Sequence, residues 1–233
     1  MTAADNLNHS LTILAQTSSV RWLFALLPAM ALLGACSEGP RVSRRAAEQF
    51  NPRPEARQCL SQLGASNASF TPLPDRYFGA GCSTLNTVRL ASLRSDEGAL
   101  GITNLGPVTC PLASTFAAWA RFGVDRAARQ ILGSELVRIE TMGSYSCRNV
   151  AGSDRLSAHA NANAIDVSGF VLADGRRITV LTDWNAGSRA EREFLRVIHT
   201  SACKRFGTVL GPAYNAAHAN HLHLERSGSA FCR

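Results

Sequence analysis

The stretch Ala164-Ile-Asp-Val-Ser-Gly-Phe-Val-Leu172, followed by Ala173-Asp-Gly-Arg176 and Arg177-Ile-Thr-Val-Leu181, decides the fold class of this chain. Both flanks are rich in β-branched and aromatic residues, which suit a pleated surface. The Asp-Gly pair between them is a turn that hairpins prefer. Working outward, strands are expected over 88–93 and 136–139, and a last one over His221-Leu-His-Leu-Glu225. Helical spacing falls between them. A short helix over 59–64 closes at Gly64. Thr109 caps a second helix with Pro111 in its first turn; Leu112, Phe116, Trp119 and Ala120 form its apolar face, resumed by Ala127, Ala128 and Ile131 after a weak point at Gly123. Ser188-Arg-Ala-Glu191 is a capping box that opens a third helix. Its face is Phe194, Leu195, Ile198, Ala202 and Phe206, with Gly207 ending it. Helices packed on a small antiparallel sheet make an α+β domain.

The N-terminal part reads as a targeting segment rather than as part of that domain. Residues 22–35 are apolar and uncharged, follow Arg21, and are too few for a membrane span, which needs about 20. They end in Leu33-Gly34-Ala35-Cys36, which resembles a bacterial lipobox, with cleavage before Cys36 and lipid on its thiol. The polar stretch before Arg21, with Asp5 in it, is foreign to such a leader and suggests a true start near Val20. The expected organisation is a signal peptide over 1–35, a tether over 36–57 and a domain over 58–233. By resemblance to Gram-negative lipoproteins, Ser37 after the lipidated residue implies the outer membrane, facing the periplasm.

Removing residues 1–35 takes away Asp5 and Arg21, so the mature chain keeps the net charge of +7. Such a surplus attracts anionic polymers; export makes nucleic acid the least expected of them. With Cys36 assigned to lipid, Cys59, Cys82, Cys110, Cys147, Cys203 and Cys232 remain, an even number suited to three disulfides in an oxidising compartment. Sequential pairing is the working expectation. No Cys-x-x-Cys pair supports a cysteine zinc site.

Chemistry concentrates in the last third. Four of the six histidines lie in Ser157-Ala-His159 and His218-Ala-Asn-His221-Leu-His223. On a strand His221, His223 and Glu225 share one face. Asp166 interrupts an apolar strand, where a carboxylate needs a cation or a metal. Two histidines and one aspartate are a three-ligand set of the kind found in catalytic zinc sites.

Ser157-x-His159-x-x-Ala162-x-Ala164-x-Asp166 with His221-x-His223 resembles the signature of the metallopeptidase group that includes lysostaphin, D-Ala-D-Ala peptidases and hedgehog signalling domains. The spacing His218-x-x-His221-x-His223 is similar to penicillin-insensitive murein endopeptidases. Over residues 58–233 the chain also resembles the bacterial extensin-like C-terminal domain family, through Ser144-Tyr-Ser-Cys-Arg-Asn149, Leu172-Ala-Asp-Gly-Arg176 and Thr208-Val-Leu-Gly-Pro212. The resemblance implies Zn2+ held by His159, Asp166 and His223, proton handling by His221 assisted by His218, and substrate carboxylate binding by Arg148. The implied activity is zinc-dependent hydrolysis of peptidoglycan stem peptides, of D,D-carboxypeptidase or endopeptidase type. Two departures are visible. Ala162 stands where the signature has glycine, so its loop is expected to take a different path, and Asn220 stands where some members carry a glutamate base. Asp183 is expected to cap a turn in preference to orienting a ligand histidine. The alternative is a non-catalytic wall-binding or envelope-organising lipoprotein of the same fold, and a basic nuclease or phosphodiesterase is a distant third. Oligomeric state is not legible in the sequence.

Overall fold

A computed structural model describes residues 52–233 of the chain. The signal segment, Cys36 and all but the last few tether residues lie outside the described residues.

Helix α1 spans Pro54–Ala65, with Pro54 at its start and Ala56 and Leu63 buried. It therefore begins inside the stretch read as tether and runs one residue past Gly64. The strands follow as β1 (Ser69–Pro72), β2 (Arg76–Tyr77), β3 (Ser83–Thr84), β4 (Thr87–Arg94), β5 (Ala99–Thr103) and β6 (Val108–Thr109). Helix α2 (Cys110–Trp119) leads to β7 (Leu136–Gly143), β8 (Ala164–Leu172) and β9 (Arg177–Thr179). Helices α3 (Val180–Asp183) and α4 (Arg189–Cys203) precede β10 (Thr208–Leu210), β11 (Leu222–Glu225) and β12 (Phe231–Cys232). No helix among the described residues is long and apolar enough to cross a membrane.

The described residues form a mixed α/β domain around one sheet of ten strands, ordered β1-β4-β5-β7-β8-β11-β10-β12, with β6 and β9 added on β4 and β8. It is larger than expected, and it is not wholly antiparallel: β5 runs parallel to β7, and β10 to β12. The hairpin turn forms as read, with Leu172 N–H donating to the Arg176 carbonyl at 2.9 Å. Its second strand stops at Thr179 because Asp183 Oδ2 accepts the Thr179 N–H (2.6 Å), starting a helical turn at Val180. Asp183 thus closes a turn.

Thr109 makes no side-chain cap on α2; its hydroxyl donates to Asn163 Oδ1 at 3.1 Å. After Trp119 the helix does not break at Gly123 but widens into π-type turns over Ala120–Asp125 and Ala128–Leu132. Gly123 is buried where a side chain would strike Ser201 of α4, so the glycine admits a neighbouring helix. The capping box on α4 is complete: Ser188 Oγ accepts the Glu191 N–H and Glu191 Oε2 accepts the Ser188 N–H at 2.7 Å. The helix ends at Cys203, before Gly207. Gly207 serves instead as a close approach, because a Cβ there would run into the Ser227 carbonyl.

The apolar faces meet in one core. Trp119 packs edge-on against Phe170 and Phe206, and Phe170 against Phe194. The buried Trp119 indole donates to the Ile198 carbonyl at 3.0 Å, satisfying its one polar atom. The disulfides join Cys59 to Cys110, Cys82 to Cys147, and Cys203 to Cys232. Sequential pairing therefore holds only for the last. The first bridge ties α1 to the start of α2, and the second ties the β2–β3 region to the segment after β7.

Candidate functional site

Strand β8 carries both core and site residues because of a bulge. Glu140 pairs with Gly169 while Thr141 pairs with Val167, which leaves Ser168 as an extra residue. Without it, alternation would place Asp166 on the same face as Phe170 and Leu172. With it, Ile165 and Val167 are buried before the bulge, Phe170 and Leu172 after it, and Asp166 stays part-exposed. On the neighbouring strand β11, His223 lies directly opposite Asp166, so the two side chains meet on one face, while Leu222 and Leu224 fill the core behind them.

His159 arrives from the 3₁₀ turn Ala158–Asn161. Ser157 caps this turn through its hydroxyl, which accepts the His159 N–H at 3.3 Å. The His159 Nδ1–H donates to the Ser144 carbonyl at 2.9 Å. A carbonyl can only accept, so this contact turns Nε2 toward the cluster. There Nε2 stands 3.2 Å from Asp166 Oδ2 and 3.2 Å from His223 Nδ1. His223 Nδ1 is 2.9 Å from Asp166 Oδ1, and its Nε2 is 3.5 Å from Glu225 Oε2. One ligand-capable atom from each of His159, Asp166 and His223 lies within 4.8 Å of the others.

This donor set suits a zinc ion on its own chemistry. Two imidazole nitrogens and a carboxylate oxygen converge, and each ring's far nitrogen is held by an acceptor: the Ser144 carbonyl for His159, the Glu225 carboxylate for His223. Such outer contacts orient metal-binding histidines and raise their basicity. A second grouping, His199 with Cys203 and Cys232, has the two sulfurs joined in a disulfide and does not offer thiolates.

Without a metal, the charges balance one another. Burial alone would raise the Asp166 carboxyl, but hydrogen bonds from His159 and His223 outweigh it and hold the group well below the usual carboxylate range. Burial likewise opposes charge on His223, but its bonds to Asp166 and Glu225 prevail and raise it to about 9. His221 and His218 go the other way. Burial lowers His221, and burial followed by the charge of His221 brings His218 down to about 4. Both are therefore neutral at pH 7.

Their tautomers follow from their partners. His221 Nδ1 donates to Asn220 Oδ1 at 2.8 Å, leaving Nε2 as a lone pair 3.6 Å from Asp166 Oδ1. His218 Nδ1 donates to Asn215 Oδ1 at 2.7 Å, and its ring centroid is 5.1 Å from that of His221. Asn220 thus orients the adjacent His221 ring. Arg148 is exposed, has no acidic partner among the described residues, and adds a smaller electrostatic push that lowers His218 and His221. Its carbonyl accepts the Ser157 N–H at 3.1 Å, which fixes its main chain to the turn that bears His159. The Cys82–Cys147 bridge pins the residue before it.

Ala162 is fully buried with φ of +53°, the left-handed region that glycine enters freely. Its carbonyl accepts the Thr109 N–H at 2.9 Å. Alanine thus holds a backbone conformation that side chains of L-residues enter only at a cost. Ser144, Asn215 and Glu225 were not singled out as site residues by sequence reasoning. Only Glu225 carried a signal, its alternation with His221 and His223.

Compared with curated proteins and with solved structures, the chain has no significant match. The family model described as extensin-like protein C-terminus matches residues 57–233. Covering all of the described residues except the first turn of α1 and the residues before it, with the histidine cluster and three disulfides, that match makes the chain a member of the extensin-like C-terminal family.

Proposed function

We propose that the protein is a zinc-dependent hydrolase of peptidoglycan stem peptides, of D,D-carboxypeptidase or endopeptidase type, exported and tethered to the envelope by lipid on Cys36. The observation that carries this reading is the convergence of His159, Asp166 and His223, with both histidines oriented from behind. The wall-peptide substrate comes from the resemblance of these motifs to murein peptidases.

When bound, zinc polarises a scissile carbonyl and makes water acidic near neutral pH. The chain's own residues do the rest. His221, kept neutral by burial, accepts a proton at Nε2, and Asn220 keeps that nitrogen turned inward. Asp166, 3.6 Å away, stabilises the imidazolium that results. His218, a second neutral imidazole with its ring centroid 5.1 Å away, assists His221. Arg148 presents a planar guanidinium that suits bidentate contact with a peptide's terminal carboxylate.

The test joins metal analysis of the purified protein to mass spectrometry of digested wall sacculi. Wild type is expected to hold one zinc and to release fragments that His221→Ala and His223→Ala do not. Protein without stoichiometric zinc, whose digestion of muropeptides is unaffected by His223→Ala, would sink the reading. Zinc without cleavage would assign the protein to the non-catalytic wall-binding alternative.

A further inference from the structure

We propose that Tyr214 and Phe231 form a sugar-binding platform beside the histidine cluster, taking N-acetylhexosamine rings of the glycan strand from which a stem peptide hangs; the choice of ligand rests on the peptidoglycan reading above. The two rings come from separate segments. Tyr214 sits in a turn after β10, its N–H donating to the Gly211 carbonyl at 2.9 Å. Phe231 opens β12, which pairs parallel to β10 and is pinned by the Cys203–Cys232 bridge. The fold brings their centroids within 5.7 Å, with the rings nearly perpendicular.

Both rings remain 43% and 40% exposed, although burying an aromatic ring is strongly favourable. In contact with each other, the two exposed rings make a local apolar patch rather than isolated surface residues. The patch is continuous with the site: the Tyr214 ring is 5.4 Å from His218, which is 6.0 Å from His223.

The surroundings decide the class of ligand. Ala213, Asn215, Ala216 and Ala217 are all exposed beside Tyr214, so the side chains next to that ring along the chain are small. A pyranose ring sets its C–H face on an aromatic ring and keeps its hydroxyls in solvent, which suits such a surface. The guanidinium of Arg233 lies over the Phe231 ring, 5.6 Å from its centroid, and brings N–H donors for an acetamido carbonyl beside that ring. The rings themselves are neutral, and the charge beside them is the Arg233 guanidinium.

The experiment measures binding of a peptide-free, β-1,4-linked N-acetylhexosamine oligomer by calorimetry or chemical-shift titration. Wild type is expected to bind, Tyr214→Ala and Phe231→Ala to bind about tenfold more weakly, and Tyr214→Phe to retain most of the affinity. Thermal unfolding and disulfide mapping of each variant establish that the fold is kept. No binding by wild type, or equal binding by a folded Tyr214→Ala, overturns the platform. Because the probe contains no peptide, that result leaves the hydrolase reading to its own test.

Discussion

Metal-free protein should lose stability as pH rises from 6.5 to about 9, and one imidazole should account for it. The His223 pKa rises from 6.5 to about 9 on folding because its bonds to Asp166 and Glu225 outweigh its burial. A group that holds its proton more tightly when folded contributes stability that is complete below the unfolded pKa. That contribution is lost as pH climbs through the folded pKa. The rise corresponds to about 3 kcal/mol, a large part of a typical domain's margin of about 5–15 kcal/mol. Asp166, held low by contacts that include His223, reports part of the same interaction from the other side, so the energy is counted once. His218 and His221 are displaced downward and weaken the fold only as pH falls below 6.5, which leaves the window clear. Urea unfolding in the presence of a chelator, at pH 6.5 and again near pH 9.5, measures the effect. His223→Gln should flatten the dependence across that window. A wild type equally stable at both pH values, or a His223→Gln variant that keeps the full fall, would refute the argument.

The remaining predictions are these. Zinc affinity should rise with pH over the same window, since His223 must shed its Nδ1 proton to ligate; zinc titration with proton-release measurement reads both. Non-reducing peptide maps should show Cys59 with Cys110 and Cys82 with Cys147, and a Cys59–Cys82 peptide would contradict the fold. Trp119→Phe removes the donor to the buried Ile198 carbonyl and should cost about 1–3 kcal/mol in urea unfolding. Gly207→Ala forces a methyl against the Ser227 carbonyl and should cost about 1–3 kcal/mol by the same measurement.

Sequence alone determined those features whose physics closes within a few residues. The Asp174-Gly175 turn and the Ser188–Glu191 capping box rest on contacts between near neighbours, and each stands in the structure; His221 and His223 both face Asp166, although the last strand begins at Leu222 rather than His221. The histidines and aspartate were legible as a group because such residue types are costly in an apolar setting unless they meet. Tertiary structure decided everything that depends on which distant segments lie side by side. It set the disulfide partners, the parallel pairings of β5 with β7 and β10 with β12, and the bulge at Ser168 that turns Asp166 to the site while Phe170 turns to the core. The same holds for Gly123 and Gly207, whose roles belong to Ser201 and Ser227. Pairing and register depend on chain closure between remote residues, and the local pattern of either partner carries no record of its counterpart.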